Sequence, residues 1–329
     1  MSSPPSPNAP LILEAQADFA LNLLREVSTD DRAPESEVHK YFGALLKSVT
    51  NGTNSSNTLE TANKVYVKKG SKVKDAFKEQ IEGNYGGQFE TVDFVDGKGT
   101  AEKINNFVKE ATHKKIRDLV KPDNFDKNTR LVLINALYFK GTWADKFDSK
   151  FTKKSKFHVD AKNFKELEMM HLEAYFIYYK NAQVEKSMFV LLPKERFGLT
   201  ELLAQLDGKK LLKLIKKRDK ENVKVVLPKF KLEATHELNK PLTNMGMPTA
   251  FTISANFEGI SGKKTSLLSK VMQKAVIEVN EEGTVAAAVT EGVVADCASS
   301  KEYRFVADRP FCAFLIRDDT VLFSVIFRK

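Results

Sequence analysis

The side chains best suited to nucleophilic or metal chemistry are five histidines, His39, His113, His158, His171 and His236, and two cysteines, Cys297 and Cys312. A zinc-protease helix carries a second histidine one turn after the first, so that both reach one metal. His236-Glu237 is instead followed by Leu238, Asn239 and Lys240. Neither cysteine has a Cys or His neighbour at finger spacing, and two cysteines cannot build a disulfide framework, so no structural zinc is expected. The run from Gly259 to Thr265 sets its glycines too close together for a phosphate loop, and neither a GxGxxG nor a GxSxG motif occurs. Catalysis, metals and cofactors have no support in these residues.

The segment from Asn280 to Thr290, Asn-Glu-Glu-Gly-Thr-Val-Ala-Ala-Ala-Val-Thr, offers another kind of chemistry. Alternate side chains of a strand share a face. Thr284, Ala286, Ala288 and Thr290 would line one face, all small enough to slide between strands already packed. Gly283 would serve as a hinge, because glycine absorbs backbone rotation without steric cost. Three consecutive alanines equally suit a helix. The window by itself leaves a latent strand and an exposed helical or disordered loop both open.

The elements that would position such a segment are mixed. Helical spacing marks Ala17 to Arg25, Glu35 to Val49, Val73 to Ile81, Ala101 to Leu119 and a basic stretch from Leu199 to Lys217. Strand patterns mark Val65 to Val67, Phe89 to Phe94, Phe189 to Leu192, Val223 to Leu227, Val271 to Val279 and Arg304 to Val306. Thr129 to Tyr138 is apolar and branched, which predicts a strand buried on both faces. Phe311 to Ile316 and Val321 to Phe327 form a hairpin across Arg317 to Thr320. The order neither alternates as βαβ nor repeats, so the fold class is α+β.

With 329 residues the chain makes one large domain or two ordinary ones. Its 42% hydrophobic and 29% charged residues exclude a disordered or low-complexity polymer. The net charge of +9 is spread too widely to name a polyanionic partner. Lys209, Lys210, Lys213, Lys216 and Lys217 share a helix with Leu211, Leu212, Leu214 and Ile215, which reads as a solvated outer face. No basic region precedes a long apolar core at the amino terminus, and no run approaches the ~20 apolar residues of a membrane helix. A cytoplasmic chain with no membrane or nucleic-acid partner is expected, and the sequons at Asn51 and Asn54 are then only a polar loop.

Several segments together resemble one family. Glu281 to Thr290 resembles the hinge of the serpins, and Asn135-Ala-Leu-Tyr-Phe-Lys-Gly-Thr-Trp143 resembles their signature strand with its breach tryptophan. Ile104 to Ile116, Val225 to Leu232, Ala255 to Ser261 and Phe305 to Phe311 match further family motifs, in family order and across almost the whole chain. The intracellular branch is the nearest in character, and the wording of several segments resembles nematode members. The resemblance implies the serpin fold as a single domain over residues 1–329. A flexible tail would span 1–10, and a hinge and reactive-centre loop 280–303.

The resemblance also implies the mechanism, the loop insertion general to serpins. A serine or cysteine protease cleaves the loop as a suicide substrate and forms an acyl-enzyme. The hinge, Glu281, Glu282, Gly283, Thr284, Val285, Ala286, Ala287 and Ala288, then enters the central sheet as a new strand. The family's frequent acidic residue is Val285 here, on the outward face. Family spacing counted from Glu281 places the cleaved bond between Cys297 and Ala298. Spacing counted back from Phe305 favours Ser299, so the expected window runs from Asp296 to Ser300, and Asp296 would suit an aspartate-preferring protease. Asn135 and Gln273 take the shutter positions, Gln273 where a histidine is common, and Trp143 takes the breach.

Two departures accompany the match. Family members carry more residues between Ser28 and Glu35, forming an inner strand and the helix beneath the shutter, and a smaller gap falls near Asn181 to Glu185. A chain lacking those elements is expected either to tolerate the gaps as an inhibitor or to act as a non-inhibitory binding protein or splice form. Loop–sheet polymers are a further expectation.

Overall fold

Leu131-Val-Leu-Ile-Asn-Ala-Leu-Tyr-Phe-Lys140 is a strand whose two neighbours set the architecture. In the computed structural model, residues 58–85, 88–141, 143, 146–175, 187–216, 222–261, 267–282, 303–317 and 320–329 are described. Their strands, in chain order, are β1 (Thr58–Lys68), β2 (Gln88–Val92), β3 (Leu131–Lys140), β4 (Lys153–His158), β5 (Phe164–Tyr175) and β6 (Ser187–Leu191), then β7 (Asn222–Pro228), β8 (Phe230–Glu237), β9 (Leu268–Val279), β10 (Tyr303–Val306), β11 (Phe311–Arg317) and β12 (Thr320–Phe327). The main helices are α1 (Asp75–Tyr85), α2 (Gly97–Ala111), α3 (Leu199–Gln205) and α4 (Gly208–Lys216). The chain divides into two compact units, one of Ser28–Gly141 with Lys231–Glu278, the other of Met1–Val27, Thr142–Phe230 and Val279–Lys329.

The first unit is built on a sheet with the order β2-β1-β3-β9-β8. β1 runs antiparallel to β3, whereas β3 and β9 are parallel and directly paired, from Leu131↔Leu268 to Lys140↔Glu278. One face carries Tyr66, Val132, Ile134, Ala136, Tyr138, Met272 and Val276 against Ile104 and Val108 of α2. The other carries Val65, Val67, Leu131, Leu268 and Val271. β3 thus has apolar residues on both faces, but only one is fully buried: Leu133, Asn135 and Leu137 are half-buried, which corrects the expectation of uniform burial.

The second unit holds two sheets, β10-β7-β5-β4 and β12-β11-β6. Phe327 of β12 ties their elements together, lying 5.2 Å from the Phe157 ring of β4 and 5.0 Å from Phe311 of β11. Leu199, Leu211 and Ile215 of α3 and α4 pack on Cys312, Phe314 and Ile316 of β11. Cys312 is therefore buried with Phe314 as expected, while Phe311 faces the opposite side of the strand.

Several boundaries differ from the sequence expectation, each for a local reason. α2 starts at Gly97 because the Asp96 carboxylate accepts the Gly99 amide at 2.9 Å. Gly97 is required there, since a Cβ would stand 2.7 Å from the Pro122 carbonyl oxygen. The helix ends at Ala111, short of Leu119, because Thr112 donates to Val108 O and accepts from Ile116 N, and His113 and Lys114 turn to positive φ. The basic stretch after Leu199 is two helices, because Leu206 is extended and the Asp207 carboxylate accepts the Lys210 amide. β1 extends back to Thr58 through polar residues held by the β3 ladder. β4, β5 and β8 were not legible at all. In the β4–β5 pair, Lys154 and Lys156 lie opposite Glu168 and Glu166, a pairing no single strand displays. The amino-terminal helices expected from the sequence and the gaps after Ser28 and near Asn181 lie outside the described residues.

Loss of the cap should be measurable. Asp96→Ala is expected to lower stability by about 1 kcal/mol in urea unfolding. An unchanged midpoint would show that α2 holds its start without it.

Candidate functional site

The candidate residues fall in two groups, one along the β3–β9 seam of the first unit and one on the segments of the second unit that follow β3 and β9 in the chain. β9 runs directly into Asn280, Glu281 and Glu282, the first residues of the expected hinge. Trp143, three residues beyond β3, grips this segment twice. Its indole Nε1 donates to the Asn280 carbonyl oxygen at 2.7 Å, and its backbone amide to that of Glu282 at 3.4 Å. Phe147 packs edge-on against the indole at 5.4 Å. The exits of β3 and β9 are thereby held together.

Glu281 is the electrostatic centre of this clasp. One carboxylate oxygen accepts from the Thr152 hydroxyl at 2.9 Å, and the other meets Lys229 Nζ at 3.0 Å. Burial alone would raise its carboxyl, but its own backbone amide, Lys229 and Thr152 outweigh that and hold it below the ordinary carboxylate range. The hydrogen bond to Glu281 raises Lys229 in turn. Asn280 Oδ1 accepts the Glu282 amide at 3.1 Å.

Further along the seam, three amides form a ladder on one face of the sheet. Asn63 of β1, Asn135 of β3 and Gln273 of β9 are register partners. Asn135 Nδ2 donates to Asn63 Oδ1 at 2.6 Å, and Gln273 Nε2 donates to Asn135 Oδ1 at 2.9 Å. Asn135 is thus satisfied from both sides, and the second bond crosses the seam. Gln273 fills the position where the family pattern led us to expect a histidine, and it makes the cross-seam bond without a titratable ring.

On the opposite face, a strap after α2 crosses the same strands. His113 Nδ1 lies 3.0 Å from Glu60 of β1, and Lys115 Nζ lies 5.6 Å from the Tyr138 ring of β3. The Arg117 carbonyl oxygen accepts from Lys274 Nζ of β9 at 2.5 Å. Lys274 is nearly inaccessible and also pairs with Glu233 of β8 at 2.6 Å. The strap's root is clasped by Asn105, whose side chain bonds both N and O of Val120.

Of the residues singled out in the sequence, Asn135 and Gln273 come together, and Trp143 meets the segment of Glu281 and Glu282. Gly283, Thr284, Val285, Ala286, Ala287 and Ala288, and Asp296, Cys297, Ala298, Ser299 and Ser300, lie outside the described residues. Asn63, Thr152, Lys229 and Lys274 were missed. Their partners are far away in sequence, so no local spacing announces them; only an asparagine inside a strand and a lysine in an apolar one were visible anomalies. Burial pushes the Cys312 thiol up to about 12, which suits packing rather than nucleophilic chemistry. Among the described residues no three His, Cys, Asp or Glu side chains gather as a metal site, and no helix is long and apolar enough to cross a membrane.

Comparison with known proteins agrees with this geometry. Residues 11–326 match the family model described as serpin (serine protease inhibitor). Serpin B6 of Macaca fascicularis is 32% identical over 328 residues, covering 95% of this chain and 87% of the relative. Leukocyte elastase inhibitor A of Rattus norvegicus is 36% identical over 304 residues, covering 86% and 80%. The crystal structure of uncleaved ovalbumin superimposes with a TM-score of 0.81 at 27% identity, covering 97% of this chain and 91% of that one. The chain belongs to the serpin family of protease inhibitors and has its α+β fold.

Two substitutions test the site. Asn135→Leu leaves Asn63 Oδ1 and Gln273 Nε2 without partners and is expected to cost about 1–3 kcal/mol in urea unfolding; a neutral result would show that water or rearrangement replaces the ladder. Glu281→Gln is expected to cost about 1 kcal/mol near neutrality. Because the folded carboxyl lies below its ordinary 4.5, the Glu281 contribution is full above that value and is lost as pH falls through the folded one. Lys229, raised above 10.5, imposes the opposite limit only at alkaline pH. The stability difference between wild type and variant should therefore vanish on acidification, and a pH-independent difference would assign it to packing.

Proposed function

We propose that the chain is a suicide-substrate inhibitor of serine endopeptidases, and of cysteine endopeptidases that accept the same loop. One observation carries this: β3 and β9 are parallel, directly paired neighbours, and β9 continues into a hinge of small residues. A chain that reverses after Glu282 and enters between them would run antiparallel to both. One parallel ladder would be exchanged for two antiparallel ones, which are slightly more stable per residue. The net gain is on the order of ten backbone hydrogen bonds at about 1 kcal/mol each. That is comparable with the whole stability of an ordinary domain, about 5–15 kcal/mol.

The chemistry is the protease's own. Its serine oxygen or cysteine sulfur attacks the carbonyl carbon of the cleaved bond, most simply that of Cys297. The C–N bond to Ala298 breaks, the new amine leaves with a proton, and the acyl group stays on the protease. Insertion of residues 284–290 then moves the tethered protease before water can attack the ester or thioester. Thr284, Ala286 and Ala288 fit the inserting face because none brings charge or bulk between packed strands. The clasp of Trp143, Lys229 and Thr152 on Asn280 to Glu282 holds the entrance closed until cleavage releases the far end of the loop.

Incubation with a panel of serine and cysteine proteases is expected to give a covalent adduct that survives boiling in SDS. Mass spectrometry of the released peptide should place the bond within Asp296 to Ser300. Thr284→Arg should be cleaved at the same bond while its adduct falls about tenfold or more, because a charge cannot be buried in the seam. Cleavage of the wild-type loop without any adduct across the panel would overturn the inhibitor reading and leave a non-inhibitory binding protein.

A further inference from the structure

Thr152 joins the clasp on Glu281 to an exposed, basic stretch of chain. Residues 149–158 read Ser-Lys-Phe-Thr-Lys-Lys-Ser-Lys-Phe-His, with four lysines and no acidic residue. Ser149–Phe151 form a single 3-10 turn that buries none of its residues. Local bonds hold it, from the Lys150 amide to the Asp148 carboxylate at 2.9 Å and from the Thr152 amide to the Ser149 carbonyl oxygen at 3.2 Å. Ser149, Lys150, Lys153 and Lys154 are exposed, and Phe151 keeps 63% of its surface in solvent. Thr152 is half-buried, has extended backbone and leads into β4, the last strand in the order β10-β7-β5-β4. A short turn of exposed residues beside an outer strand opens locally at low cost.

The Thr152 hydroxyl donates to one Glu281 oxygen at 2.9 Å, while Lys229 Nζ meets the other at 3.0 Å. A phosphate on the threonine oxygen would remove that donor and set a second anion against the carboxylate. Its oxygens would also compete for Lys229, because phosphate pairs strongly with cations. Glu281 would lose Thr152 outright and have to share Lys229.

We propose that Thr152 is a phosphoryl-acceptor site for a kinase that selects basic substrates, and that its phosphate unlocks the clasp. The consequence for trapping rests on the inhibitor reading; the modification and the unlocking do not. A kinase cleft that reads basic substrates is acidic, and it meets Lys150, Lys153 and Lys154 on either side of the acceptor. The Thr152 oxygen bonds to the γ-phosphorus of a nucleoside triphosphate and the bond to the bridging oxygen breaks. The diphosphate leaves, and the hydroxyl proton passes to the kinase's base. Ser149 and Ser155 share the stretch, but the hydroxyl on Glu281 is that of Thr152.

The test incubates the full chain with the catalytic domain of protein kinase C, magnesium and a nucleoside triphosphate, beside a casein kinase that selects acidic substrates. The first is expected to phosphorylate Thr152 about tenfold or more faster than the second, read by mass spectrometry of the peptides. Thr152→Val should lose that phosphate, and Thr152→Ser should keep it. Phosphate on Ser149 or Ser155 alone, or none, would overturn the site. Trp143 is the chain's single tryptophan, so its emission reports the clasp. Phosphorylation of wild type and of Thr152→Ser should move that emission to longer wavelength and quicken exchange of the 280–282 amides about tenfold. Unchanged emission and exchange at one phosphate per chain would overturn the unlocking. With a protease that wild type traps, the phosphorylated chain should lose its trapping capacity on warming about tenfold faster, because the loop enters uncut. If wild type traps none, the inhibitor reading fails by itself and Trp143 emission still decides the unlocking.

Discussion

The structure depends on one pairing: two parallel strands, β3 and β9, share a backbone ladder that a third strand would divide. Most sheet interiors leave no such alternative, because the chain that could enter is already elsewhere in the core. Here the segment from Thr284 to Thr290, which follows Asn280, Glu281, Glu282 and Gly283 after β9, is rich in small residues and could run back along the strand it leaves. Under the proposed mechanism, a chain with its loop cut has a second arrangement available to it.

Three sets of contacts bear on this arrangement, two on the seam itself and one in the second unit, on the segments that follow β3 and β9. Trp143, Thr152 and Lys229 hold the segment beyond β9 next to the segment beyond β3. The Asn63–Asn135–Gln273 ladder crosses the strands at their middle. The strap of His113, Lys115 and Arg117 bridges the opposite face, with Lys274 as its anchor on β9. Separating β3 from β9 by one further strand spacing, about 4.8 Å, exceeds the reach of the Gln273–Asn135 bond that joins them. Each of the contacts is worth about 1 kcal/mol, so together they can delay opening without outweighing a new ladder. Polar contacts suit this role because they are specific while formed and find water when broken.

Much of this was legible before any coordinates. The apolar run of β3 and the β11–β12 hairpin follow from residue type and order, whereas Trp143, Asn135 and Gln273 were singled out by the resemblance to the serpins. What escaped was set by partners distant in the chain. Lys229 reads as one lysine after a proline until Glu281 is beside it, and Asn63 reads as a poor strand residue until Asn135 needs an acceptor. β4 and β5 are stabilised by opposed charges across the ladder, so neither strand has an apolar alternation to display. α2 was overextended because Ile116 is buried at helical spacing although Thr112, His113 and Lys114 have already ended the helix. The last case is instructive: burial periodicity outlived the hydrogen-bond pattern that it usually reports.

Hydrogen exchange before and after a single cut in the loop measures the central pairing most directly. Amides of β3 and β9, and those of residues 284–290, are followed in the intact chain and in the nicked chain under identical conditions. Entry of the segment between the two strands predicts slow exchange for 284–290 and stronger protection along both neighbours. Rapid exchange of 284–290 with unaltered β3 and β9 would contradict it.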